Sequence, residues 1–296
     1  MAQLTAQGIS RLAVELLSRQ LVLAATVATV DGGDFAGANG DKITVRVPQP
    51  ATAREQTNPG DTITWDDLNE VPVTVALKHL YHATRISDQA LTWSLVDFGR
   101  QITLPQVQAV AKKAEDQIAA VINSRTTDIE VSATGSDVDA AVLEARTTLG
   151  RNEAPMGDRY LAVSPEFAEL ILAQENFSRV DASGSSSALR EAVIGRYRGF
   201  WVVESSGIDP GEAMAYHKSG IVWANLRPAS PGGAAKTATH SEGGITLRQI
   251  LHYNPLILSD QSVVSTFAGA ALVAEDGTGT NGTVFKRAVK LAATGS

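Results

Sequence analysis

Near the start of the chain, Ile9, Leu12, Ala13, Leu16, Leu17 and Leu21 recur at three- and four-residue spacing. That spacing puts one apolar stripe on a helix. A Gly-rich joint, DGGDFAGANGD at 31–41, sets this segment apart as an N-terminal arm. From Ile43 the period changes to two. Ile43, Val45 and Val47 alternate with Thr44 and Arg46, and Val71, Val73, Val75 and Leu77 alternate with Pro72, Thr74 and Ala76. Two strands of one long hairpin follow from that pattern.

The stretch joining the strands, RVPQPATAREQTNPGD at 46–61 and then TITWDDLNE, offers only Ile63 and Trp65 as large apolar side chains before Leu68. A two-stranded ribbon with so little to bury is marginal in water, and its open edges invite pairing. It is therefore expected to lack a partner within its own chain.

Thr103-Leu-Pro reads as an N-cap with proline in the first turn, opening a helix to about Ser124 with a stripe of Val107, Val110, Ala111, Ala114, Ile118, Val121 and Ile122. At 1.5 Å per residue this is a rod of roughly 30 Å, the longest regular element predicted. Ser136-Asp-Val-Asp resembles a capping box before a helix ending at Gly150. RYLAV at 159–163 reads as a buried strand, and Ser164-Pro-Glu caps a helix carrying Phe167, Leu170 and Ile171. After the polar loop 178–187, a short helix through Val193 is expected, then GRYRGFWVVES, with two glycines just before a strand. ITLRQILHY at 245–253 and SVVSTFAGAALVA at 262–274 return to strand patterning and are expected to pair near the long helix, with FKRAVKL as a final strand. The fold class is α+β.

Composition narrows the chemistry. The 296 residues are 44% hydrophobic and 19% charged, ordinary for a folded protein. With 25 Lys and Arg against 32 Asp and Glu and no basic block, sequence-specific nucleic-acid binding is disfavoured. The absence of cysteine removes disulfides, thiolate metal sites and cysteine nucleophiles. LVLAATVATV at 21–30 falls short of the roughly 18 residues that span a bilayer and does not read as a signal peptide. No membrane association is expected.

Catalytic signals are weak. Of the five histidines, His79, His82, His217, His240 and His252, only the first two are close, and a three-residue offset on a strand points them to opposite faces. Asp66, Asp67 and Glu70 form a solvated acidic loop rather than a cation site. SGSSS lacks the Gly-x-Ser-x-Gly elbow of a hydrolase, and neither GGDFAGANG nor GTGTNGT sits between a strand and a helix as a phosphate cradle would. No metal, no cofactor and no catalytic constellation are expected.

The order of parts, with ITVRVPQPATAREQ, VPVTVALKHLYHATRISDQAL, GRYRGFWVVES and ITLRQILHYNPLILSDQSVVSTFAGAALV, resembles the major capsid protein of tailed bacteriophages, the Hong Kong 97 fold, in its actinobacteriophage form. The resemblance covers nearly the whole chain. It implies an N-terminal arm at 1–41, an extended E-loop at 42–86, a peripheral domain at 87–129 and 226–296 with its spine helix at Leu104 to Ser124, and an axial domain at 130–225. It implies a structural protein, not an enzyme, that self-assembles through pentamers and hexamers into an icosahedral shell around double-stranded DNA held without sequence specificity. The E-loop would then be covered by a neighbouring subunit. Its basic start, Lys42, Arg46 and Arg54, and acidic end, Asp61, Asp66, Asp67 and Glu70, could set register on that neighbour, with Glu55 and Trp65 between.

The same resemblance implies a separate scaffolding protein, since the arm begins almost at Met1, as well as a portal and a decoration protein. It places the product in the virion capsid, assembled in the cytoplasm of a bacterial host. Lys42 and Lys78 in the hairpin and Asn254 and Asn281 later on are too ordinary a set to imply a covalent crosslink. The rival readings are an encapsulin, a nanocompartment shell on the same fold, and an α/β hydrolase-like enzyme using Ser183, Ser185 or Ser187.

Overall fold

The computed structural model describes residues 22–30, 42–48, 53–56, 58, 60, 62–65, 70–93, 99–174, 193–232, 236–242, 245–275 and 285–294. The arm helix expected at 9–21, the joint at 31–41 and the serine loop at 178–187 lie outside them. The strands are β1 (Ala28–Val30), β2 (Lys42–Pro48), β3 (Glu70–Ala76), β4 (Lys78–Ser87), β5 (Ile129–Ser132), β6 (Arg159–Val163), β7 (Val193–Tyr197), β8 (Phe200–Glu204), β9 (Glu212–His217), β10 (Ile221–Leu226), β11 (Lys236–Glu242), β12 (Ile245–Asn254), β13 (Ser259–Leu272) and β14 (Ala288–Thr294). The helices are α1 (Asp88–Trp93), α2 (Leu104–Asn123), α3 (Val138–Arg151) and α4 (Pro165–Leu172). The mixture is α+β, as the periodicities predict.

Strand β13 is the hub of the first sheet, which runs β1-β10-β13-β12-β11 with β4 also on β13. The long helix α2 lies on this sheet. Val107, Val110, Ala111, Ala114, Ile118 and Ile122 are buried among Leu80, Trp223, Leu247, Val264 and Ala268. Each fully buried aliphatic side chain contributes about 1.5–3 kcal/mol, so this stripe anchors the helix far more firmly than its propensity could. Beneath its first turn is a small buried polar seam. Gln106 Nε2 donates to the Ser262 carbonyl at 3.0 Å, Ser262 Oγ donates to Gln106 Oε1 at 2.7 Å, and Gln249 Nε2 donates to Thr103 Oγ1 at 3.3 Å. Thr103 stands at the N-cap position of α2 with the expected proline in the first turn, but its side chain does not cap the helix. It is helical and buried, its hydroxyl faces the seam instead of the helix end, and a π-helical turn over Gly99–Thr103 leads into α2.

The second sheet runs β5-β14-β9-β6-β8-β7. Its central strands are buried on both sides. In β9, Ala213 and Ala215 face α3 and α4, while Met214 and Tyr216 join the core beneath α2. Strand β14 pairs with β5 and β9, so residues 288–294 lie in the second sheet. Grouping all of 226–296 with the long helix therefore does not extend to β14, and β10, grouped on sequence with the second sheet, lies in the first.

Local rules meet two further exceptions. Asp137, expected in a capping box, turns back so that its Oδ1 accepts from the Ser132 backbone N–H at 2.8 Å, and the helix starts without a side-chain cap. Val193 belongs to a strand and not a helix, paired with Val203. The glycines of GRYRG serve a hairpin. Gly195, at φ 112°, sits at an irregularity in the ladder, and Arg198 and Gly199, at φ 51° and 95°, form the left-handed two-residue turn that matches strand twist. Ser164 does cap α4, its Oγ accepting from the Phe167 N–H at 3.2 Å and the Gly211 N–H at 3.0 Å.

Strands β2 and β3 form the predicted antiparallel ribbon, with Lys42 opposite Ala76 and Pro48 opposite Glu70. Its base is not without a partner, contrary to the sequence expectation. Ile43, Val73 and Val75 are buried against Val222, Ala224 and Val273 of the first sheet. The strand after it, β4, is part of that sheet through ten residues of pairing with β13, Lys78 to Ser87.

A candidate assembly surface

Alternation decides which face of the ribbon meets the body. Ile43, Val73 and Val75 point down, while Thr44, Arg46, Pro72 and Thr74 stay exposed. Between Pro48 and Glu70 the described residues 53–56, 58, 60 and 62–65 belong to no strand and are exposed throughout. Trp65 is 85% exposed and Ile63 60%. An indole held in water is a costly arrangement for a finished surface, and aromatic side chains dominate the energetics of interfaces.

The predicted charge pattern is partly satisfied within the ribbon. Arg46 Nη1 lies 3.4 Å from Glu70 Oε2, an exposed cross-strand pair. Arg54 Nη1 donates to the Thr64 carbonyl at 3.2 Å, tying the outgoing limb of the tip to the returning one beside Trp65. Glu55 is exposed. Asp61, Asp66 and Asp67 lie outside the described residues. The structure therefore brings together Arg54 with the limb that carries Trp65, and Arg46 with Glu70.

Two more features of the body accompany the ribbon, one buried and one exposed. The segment entering from the N-terminal side is held by α2. The Leu23 N–H donates to Glu115 Oε1 at 3.0 Å, and Thr26 Oγ1 lies 2.5 Å from the Tyr216 hydroxyl. Burial pushes the Glu115 carboxyl above its ordinary range, with the Leu23 and Val22 backbone hydrogen bonds opposing. Burial likewise pushes the Tyr216 hydroxyl up. At the far end of the first sheet, the β12–β13 turn presents Leu256 at 91%, Leu258 at 61% and Ile257 at 43% exposure. Asp88 supports this turn, its N–H donating to the Leu258 carbonyl and its Oδ2 accepting from the Tyr253 hydroxyl at 2.9 Å. None of the expectations drawn from the sequence includes this group. Its signal in the sequence is PLIL following Asn254, an apolar run at a turn that the described residues leave uncovered.

Among the described residues no three or more His, Cys, Asp or Glu side chains gather as a metal-ligand set, and no helix is long and apolar enough to cross a membrane. Strand β4 places His79 and His82 on opposite faces, with His79 against the Phe267 ring at 4.6 Å between centroids.

No curated protein matches the chain. Among solved structures, it is similar to one described as Mycobacterium phage Che8, at 17% identity and a TM-score of 0.62, over 94% of this chain and 93% of that one. The head structure of Helicobacter pylori bacteriophage KHP40 matches at 11% identity and a TM-score of 0.63, over 90% and 88% of the two chains. The capsid of cyanophage P-SCSP1u matches at 16% identity and a TM-score of 0.61, over 92% and 87%. At these identities the likeness establishes a shared fold. The family model described as phage capsid protein matches residues 23–231 of the sequence itself. Ribbon, long helix and two sheets thus have one common explanation: the chain belongs to the phage capsid protein family, as a structural major capsid protein of the Hong Kong 97 type.

Proposed function

We propose that copies of this chain close into an icosahedral shell by laying each ribbon tip across the next subunit of a pentamer or hexamer. The observation that carries this reading is the division of the ribbon: a base docked through Ile43, Val73 and Val75, and a tip whose Trp65 is 85% exposed. Contact with a neighbour removes that indole from water and pairs open backbone, while the docked base aims the tip. Many modest contacts repeated around a closed shell give high total stability, and each remains weak enough to correct.

In this reading residues 1–41 act as an arm, 42–76 as the E-loop, shorter than the 42–86 expected because β4 belongs to the first sheet, α2 as the spine of a peripheral domain, and most of 130–225 as an axial domain around capsomer centres. Arg46, Arg54, Glu55, Asp61, Trp65, Asp66 and Asp67 contribute to the contact between subunits. The chain works as a building block and not as a catalyst. Its net charge of −7 suits a wall around packaged double-stranded DNA, because strong attraction to phosphates would hinder filling. A scaffolding protein, a portal and a decoration protein complete the particle, which forms in the bacterial cytoplasm. Membership of the phage capsid family favours this over an encapsulin or a hydrolase.

Electron microscopy of the purified full chain, with sedimentation at micromolar concentration, tests the reading. Closed particles of uniform diameter are expected. A chain that stays monomeric or dimeric with and without a co-expressed scaffolding protein overturns it.

A further inference from the structure

On the second sheet, away from the ribbon, a cleft of about 300 Å3 is lined by Arg146, Met156, Arg159, Arg196 and Gly199. Three arginines thus line one small space. Like charges do not gather without compensation, and each could be neutralised by a nearby carboxylate. Among the described residues none forms an ion pair with Arg146, Arg159 or Arg196. Asp139, beside the β7–β8 turn, is already engaged by Arg198 and by the Tyr197 hydroxyl, and Asp158, next to Arg159 in sequence, forms no ion pair with it.

Arg159 carries the argument furthest. It is 3% exposed, at the start of β6. Its Nε donates to the Pro155 carbonyl at 2.8 Å and its Nη2 to the Ala154 carbonyl at 2.6 Å, which fixes the plane of the group. Carbonyl oxygens satisfy donors but bring no net negative charge, so among the described residues this buried cation has no ion-pair partner. Burial, and then the charge of Arg146, lower the Arg159 guanidinium from its ordinary range.

The other two arginines are also placed by the fold. Arg146, on α3, donates through Nη1 to the Arg198 carbonyl at 3.2 Å. Arg196 stacks on Trp201, its Cζ 4.9 Å from the ring centroid. Gly199 lets the turn approach, since a β-carbon there would meet the Arg146 Cζ at 3.3 Å. The planar fork of arginine matches the oxygen geometry of phosphate, and three such residues line the cleft.

We propose that this cleft is a binding site for a small oxoanion of the phosphate class, gripped by Arg146, Arg159 and Arg196. The anion supplies the charge that the fold omits and braces α3, the 152–158 loop and the β7–β8 turn against one another. Because the cleft lies within one chain, the site does not depend on the shell reading.

Calorimetric titration of the full-length protein with inorganic phosphate, at an ionic strength held constant with sodium chloride, tests the site. Saturable binding is expected, weakened about tenfold or more by Arg146→Gln combined with Arg196→Gln, the scale of losing charge-assisted hydrogen bonds. Arg196→Gln by itself, at an exposed side chain, gives a reading if the double variant does not fold. Thermal melting in the same two salts provides a second readout. Phosphate also stabilises proteins generally by exclusion from their surface, and that component survives in the variants. No phosphate uptake beyond the chloride background, or wild-type uptake by the arginine variants, overturns the proposal.

Discussion

A β-carbon on Gly269 would occupy space already filled by the carbonyl oxygen of Ala76. Strand β13 can therefore run directly beneath the end of β3 because one of its residues has no side chain. The contact seats the ribbon on the body and so aims its tip. Gly269→Ala should lift the ribbon base, at a cost of about 1–3 kcal/mol typical of overpacking. Hydrogen exchange should then speed up over 42–48 and 70–76 while α2 keeps its protection. Unchanged exchange in the ribbon would show that the strands part without cost.

Trp65 contributes little to the single chain and much to the proposed contact. Trp65→Ala should leave the melting of unassembled subunits within about 0.5 kcal/mol, as for other exposed positions. Burial of a large apolar side chain is worth about 3 kcal/mol, and a shell repeats the loss at each contact. Sedimentation should show free subunits or capsomers in place of particles. Particles of normal yield and stability would remove the indole from the interface.

The charges of the tip are tested by exchanging them, with Arg54→Glu and Glu55→Arg in one chain. Exposed pairs contribute about 0–1 kcal/mol to folding, so the melting temperature should hardly move. Assembly should fail or slow, because the pattern offered to the neighbour is inverted and the Arg54 bond to the Thr64 carbonyl is lost. Normal shells from this variant would exclude a role in register.

Glu115 makes stability depend on acidity. Its carboxyl is raised above 4.5 by burial, which means that the folded chain holds this proton more tightly than the unfolded chain. The corresponding stabilisation is complete below the unfolded value and is lost as pH rises through the folded one. Glu115→Gln keeps an oxygen for the Leu23 N–H without the buried charge. It should melt higher than wild type at pH 7, with the gap closing as pH approaches 4.5. A gap that widens on acidification would mean that the backbone hydrogen bonds outweigh burial.

Elements that bury one face against one neighbour were legible in the sequence. The alternation in 43–47 and 71–77 gave the ribbon, the stripe from Val107 to Ile122 gave the long helix, and Ser164-Pro gave a cap. Signals failed where a distant residue claimed the same atoms. Thr103 reads as a cap until Gln249 takes its hydroxyl, Asp137 serves Ser132, and the segment at Val193 becomes a strand because Val203 pairs with it. The assembly surface was half visible. A polar tip with a lone tryptophan can be read from composition, but the docking of its base depends on Gly269, more than 190 residues away in the sequence. No local pattern reports a close approach of that kind.

Strand β14 lies inside the second sheet, between β5 and β9. During synthesis residues 288–294 leave the ribosome after both strands they join. A nascent polypeptide therefore carries β9 with one edge bare and β5 with no neighbour, however early the remainder folds. Half-made chains and prematurely terminated ones cannot complete this sheet, so translation order itself screens which molecules are fit to enter a growing particle.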